Sequence, residues 1–151
     1  MSSPRYRKAV AAAALRNFEP AEVLELVDQL DLRAQPGQSP LALIPFRSLK
    51  QKRNIDAFLD TAPADAIITL LEVLVHDALE DVVEKLGDHA ERPSIDQLRT
   101  AVDALTDEFS PAFLAGTMAV AIAGEFPAAP HCRDLLIERP EWGLAEAAAT
   151  A

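Results

Sequence analysis

From Pro111 to Ala123 the chain reads Pro-Ala-Phe-Leu-Ala-Gly-Thr-Met-Ala-Val-Ala-Ile-Ala, without one charged side chain. A helix that is apolar on every side has no face to give to water, so in a globular protein it lies at the centre, covered by its neighbours. The run is about a dozen residues, short of the roughly 20 that a membrane span requires. It therefore predicts a central core helix over 111–124, with the rest of the chain folded around it. Ala112 and Gly116, then Ala119 and Ala123, recur at four-residue spacing and let neighbouring helices approach closely.

The remaining chain has the pattern of helices that could do the covering. Val23, Leu26, Val27 and Leu30 form one apolar stripe. Ile68, Leu71, Val75, Ala78, Val82 and Leu86 form a second, with Glu72, His76, Glu80 and Glu84 along the opposite side. Leu98, Val102 and Leu105 form a third. Ser3-Pro4, Ser39-Pro40 and Ser110-Pro111 each set a capping hydroxyl before a proline at the first helical position, where its missing N–H costs nothing. Ser94-Ile95-Asp96-Gln97 reads as a capping box. Gly37, Gly87 and Gly124 follow three of the runs as stop signals. No alternating β-branched run and no Asn-Gly or Asp-Gly turn occurs. The predicted helices are 4–17, 20–32, 41–60 (bent or begun late at Pro45), 63–86, 94–107, 111–124 and 130–139, with the tail after about 143 frayed.

The expected fold class is all-α: one domain over 1–151, an irregular bundle of six or seven helices around the helix near 111–124. Its core must be aliphatic, because the chain has only 6 Phe, 1 Trp and 1 Tyr. The alternative is a short HEAT-like stack of two-helix units. Phe18-Glu-Pro-Ala, Thr61-Ala-Pro-Ala and Phe109-Ser-Pro-Ala open helices about 43 and 48 residues apart, near that repeat period. The basic opening, Arg5-Tyr6-Arg7-Lys8, precedes an Ala-rich stretch too short and too weakly apolar for a signal peptide. With a single cysteine, Cys132, this composition leads us to expect a cytoplasmic protein. Heavy use of Ala, Arg, Asp, Glu and Leu suggests a high-GC bacterial source.

Charge is unevenly divided. Residues 1–53 carry nine Lys/Arg against five acids, and residues 54–151 carry five against nineteen, so halves of +4 and −14 make up the net −10. The segment Phe46-Arg47-Ser48-Leu49-Lys50-Gln51-Lys52-Arg53 stands out. On a helix, Arg47, Lys50 and Arg53 share one face that can grip phosphates or meet an acidic surface of its own or another copy.

Candidate chemistry is sparse. Glu72, His76 and Glu80 lie four apart on one helix face, the spacing at which a carboxylate–imidazole set can hold a metal. A bundle di-metal site needs a second such helix, however, and a solvated charged face explains the spacing equally. His131, Cys132 and Asp134 put an imidazole, a thiol and a carboxylate close in sequence. Adjacent helical residues point about 100° apart, so His131 is badly placed to deprotonate Cys132. Phosphate-binding glycine loops and the serine-hydrolase elbow are absent. No cofactor is therefore expected.

These features favour a non-enzymatic helical protein–protein interaction module, an adaptor or regulatory subunit whose partner is another protein or a second copy. Its expected contact residues are Arg47, Lys50, Arg53, Leu70, Val73 and Trp142. Leu70 and Val73 interrupt the polar side of the 63–86 helix, so either another helix covers them or they dock a partner. Trp142 either folds back on the bundle or anchors an interface. The alternatives are a small regulator binding nucleic acid or another polyanion through 47–53, and a metal-dependent enzyme around Glu72, His76 and Glu80.

Overall fold

Ten consecutive residues of the apolar run, Leu114 to Ala123, are buried, and four other helices cover them. A computed structural model describes residues 4–18, 22–23 and 64–150. In chain order the helices are α1 (Pro4–Arg16), α2 (Ala64–Leu74), α3 (His76–Leu86), α4 (Ile95–Asp103), α5 (Pro111–Ala123), α6 (Ala129–Glu138) and α7 (Ala145–Ala149). Single 3₁₀ turns follow α3 and α6, and no strand occurs among the described residues. None of these helices is long and apolar enough to cross a membrane. The predicted helices 20–32 and 41–60, and Gly37 and Pro45, lie outside the described residues.

The architecture is an irregular bundle. α5 packs against α1, α2, α3 and α6, while α4 bridges α3 and α6 on the outside. A stack of two-helix units would give each unit only its sequence neighbours. Here one helix meets four others, so the described residues do not form the HEAT-like alternative. Met118, Val120 and Ile122 are 1 %, 0 % and 2 % exposed, as the all-round apolar pattern requires. Thr117, the one polar side chain in the run, donates its hydroxyl to the Phe113 carbonyl one turn back and so needs no other partner.

Close approach depends on Gly116. A Cβ built there would fall 2.7 Å from Val75 Cγ1 and 3.6 Å from Phe18, so only hydrogen fits between α5 and its neighbours. Phe18 in turn meets Phe113 edge-on, with ring centroids 5.0 Å apart, an arrangement aromatic pairs favour.

The predicted helix 63–86 is in fact two. Val75 takes φ −101°, ψ 14°, although Val75 N–H still donates to Leu71 O and Leu79 N–H to Val75 O. The hydrogen-bond spacing resumes after the bend, so the apolar period runs on unbroken and the sequence does not register it. Similarly, the helix predicted over 94–107 ends at Asp103, and turns continue to Glu108. Thr106 donates its hydroxyl to the Asp103 carbonyl, a local alternative to the helical ladder. At the start of α4 the capping box is complete: Ser94 Oγ accepts from Gln97 N–H, and Gln97 Oε1 accepts from Ser94 N–H.

The expectation of a frayed tail needs correction. Leu144 and Ala148 are wholly buried. The Ala148 carbonyl, which a helix end would leave unpaired, accepts from both Tyr6 Oη at 2.6 Å and Arg133 Nε at 3.0 Å. Asn17 Nδ2 donates to Trp142 O, and Gly143 beside it turns the chain at φ 81°, a conformation glycine adopts without strain. Small side chains and low sequence complexity hid this anchoring, which is made entirely by residues distant in sequence.

The end of α5 carries a backbone strain. Phe126 N–H bonds to Ala121 O and Glu125 N–H to Ile122 O, the paired bonds of a Schellman motif. The left-handed position is taken not by Gly124 but by Glu125, at φ 55°. Phe126 lies over Gly124, and Arg7 reaches this corner, with Nη1 donating to Ala123 O at 3.3 Å and Nε 3.4 Å from Glu125. Glu125→Gly and Glu125→Ala both remove the ion pair, but only glycine relieves the backbone. The glycine variant should be more stable than the alanine variant by about 1 kcal/mol, roughly 2–4 °C in melting temperature for a chain of this size. Equal melting temperatures would show that Glu125 is unstrained.

Candidate functional site

α3 is amphipathic in a way that determines what it can contact. Ala78, Val82 and Leu86 are buried on one side, and the opposite edge presents Asp77, Glu80 and Glu84, all exposed. Spacing of three and four residues puts the three carboxylates on one ridge. His76 and Val83 flank it, and Val83 is 47 % exposed. α2 continues the edge with Glu72 and with Val73, 40 % exposed. The result is an acidic strip interrupted by two bare valines. Isolated exposed apolar residues need no explanation; two of them within a strip of like charges form the mixed surface that helix-docking interfaces use.

Leu70, paired with Val73 in the sequence reading, is wholly buried and unavailable for docking. It faces inward with Ile67 and Leu71 because the buried stripe of α2 is wider than the i, i+4 row suggested. Trp142 is also lost as an interface anchor. It is 6 % exposed, folded onto the bundle, with the Arg139 guanidinium 4.8 Å from its ring centroid. Arg139 is held there in part by Asp103, 2.5 Å away. Arg47, Lys50 and Arg53 lie outside the described residues.

The metal candidates are partly brought together. His76, Asp77 and Glu80 have ligand atoms within 4.8 Å of one another, with His76 Nε2 3.2 Å from Glu80 Oε1. Glu72 is not in that group. All three side chains are in water, and the histidine is already paired with a carboxylate. The set behaves as an exposed i, i+4 pair rather than as a preorganised ligand shell.

Cys132 is buried, and burial pushes its thiol up to about 12. His131 is half-buried and Asp134 exposed, so the three groups spread around α6 rather than converging. A thiol held protonated is a poor nucleophile at neutral pH.

Elsewhere, Arg99 ties α4 to α6 by a two-pronged pair with Glu138 and also meets Asp96 at 2.7 Å. The pair, more than any burial, holds the Glu138 carboxyl below the usual carboxylate range. His89, exposed in the 3₁₀ turn after α3, joins Lys85, Asp96, Gln97 and Thr100 around a shallow cleft of about 340 Å³ over Leu86.

Two features escaped the sequence reading. Val83 fell inside an apparently polar side, visible only as one apolar letter between Val82 and Glu84. The seam between α1 and α7 is a groove of about 680 Å³, with Arg5, Ala9, Ala13 and Arg16 along one wall and Glu146 and Ala147 along the other. Its available signal was that α1 contains four cations and no acid.

No protein-family model, no curated protein and no solved structure matches this chain.

Proposed function

We propose that this protein is a non-enzymatic interaction module, an adaptor or regulatory subunit, that docks a cationic partner surface along the outer edge of α2 and α3. The observation that carries the reading is the exposed strip of Glu72, Asp77, Glu80 and Glu84 with Val73 and Val83 set in it. Residues 64–150 hold seventeen acids against five Lys/Arg, a net −12, so the surrounding field also favours a basic partner. Charges of this kind steer encounter and select the partner, and the two valines supply apolar area that water leaves on contact.

A photo-crosslinking residue placed at Val83, in cells expressing the full chain, should give a discrete adduct with a defined protein. The same residue at exposed Asp107 should not. Glu80→Lys/Glu84→Lys should remove most of the adduct while leaving the melting temperature within a few degrees, because exposed pairs are worth only about 0.2–1 kcal/mol each. The absence of any adduct at Val83, or an adduct indifferent to the charge reversal, would end this reading.

A further inference from the structure

We propose that a second copy of this chain is one occupant of the acidic edge, its α1–α7 groove receiving α3. The proposal rests on the reading of that edge as a docking surface, and it names the partner.

The two surfaces match in length and charge. α3 is eleven residues long, roughly 16 Å at 1.5 Å per residue, and Arg5 to Arg16 on α1 spans the same rise. Between those arginines the wall presents Ala9 and Ala13 beside the buried Tyr6, with Ala147 facing them, so small side chains form most of the exposed wall that a helix would meet. Arg5 is exposed, and four cations with no acid make α1 the basic helix of the described residues. Arg133, exposed and bonded to the Ala148 carbonyl, adds a third guanidinium at the end of α7. Arg5 and Arg16 stand against one carboxylate, Glu146, among the described residues that line the groove. Facing it, α3 would present Asp77, Glu80 and Glu84, with Val83 able to bury against the alanines.

Each copy carries both surfaces, so two copies related by a twofold axis would make the contact twice, and the dimer would close. Without that axis the same contact would propagate from copy to copy.

Sedimentation velocity of the full chain tests the proposal. Wild type should associate, and more weakly at about 500 mM salt than at about 50 mM, because the contact charges are exposed to screening. Arg5→Glu/Ala9→Glu alters two exposed groove positions, and Asp77→Lys/Glu84→Lys reverses the α3 ridge. Either variant alone should associate roughly tenfold more weakly or worse, since like charges then face each other. Mixed one to one, the two should restore a heterodimer, because each altered groove again meets an α3 of opposite sign. A groove-filling variant, Ala9→Leu, checks the geometry without changing charge and should also weaken association.

Monomeric wild type at both salt concentrations would overturn the proposal. So would variants that associate like wild type, or a mixture that stays monomeric. In each of those cases a Val83 adduct with a different protein would leave the docking reading standing, whereas loss of that adduct would remove both.

Discussion

Val120→Asp should unfold this protein. Val120 is wholly inaccessible near the C-terminal end of α5, the helix that α1, α2, α3 and α6 all meet. A carboxylate there finds no cation in its own helix, because the run from Pro111 to Ala123 contains none, and the described helices around it turn apolar stripes toward it. The group must either bind a proton or drag the helix toward water. Both routes cost several kcal/mol, out of a stability of about 5–15 kcal/mol for a typical domain. Val120→Ala, which only leaves a small cavity, should cost on the order of 2 kcal/mol and remain folded. Circular dichroism melts of the three proteins read the result. A Val120→Asp melt within a few degrees of wild type would mean that α5 is not the centre of the molecule.

Cys132 should be nearly inert in the native protein. Its sulfur is buried, and the thiol is pushed from 9.0 to about 12, because the thiolate has no favourable partner in its apolar surroundings. Reaction with an aromatic disulfide requires thiolate, so the native rate near neutral pH should fall about a thousandfold below that of the denatured chain. Restricted access slows it further. The same shift gives a pH dependence of stability. Above pH 9 the unfolded chain releases the thiol proton while the folded chain retains it until about pH 12. Stability should therefore fall as pH rises through that interval, and Cys132→Ala should lose that component of the slope. Rapid native labelling at neutral pH would instead mark Cys132 as accessible or activated, and would reopen a catalytic role for the His131–Cys132 pair.

Among the described residues, the sequence by itself determined most of the helical segments, though not α7 or the break at Val75, and which helix lies at the centre. Both follow from local or periodic physics. A capping box such as Ser94–Gln97 closes within four residues, and an all-apolar run such as Leu114 to Ala123 cannot face water wherever the chain goes. Helix-end glycines and prolines act at the same short range, which is why the boundaries of α1, α5 and α6 fall within a residue or so of those predicted.

What the sequence left open depends on who the neighbour is. Leu70 and Val73 are equally apolar and three residues apart, yet one is sealed against the core and the other stands in water. Trp142 and Leu144 follow a proline near an Ala-rich end that looks disordered in composition. They are buried because Asn17, Tyr6 and Arg133, at distances of 15 to 142 residues along the chain, supply donors for that segment's carbonyls. The bend at Val75 is likewise invisible to periodicity, and the side chain at the bend packs against Gly116, some forty residues later. The proposed docking surfaces fall partly on the same side of that line. The carboxylates of α3 share a face that their spacing already sets, but the arginine-ended groove exists only once α7 is laid against α1.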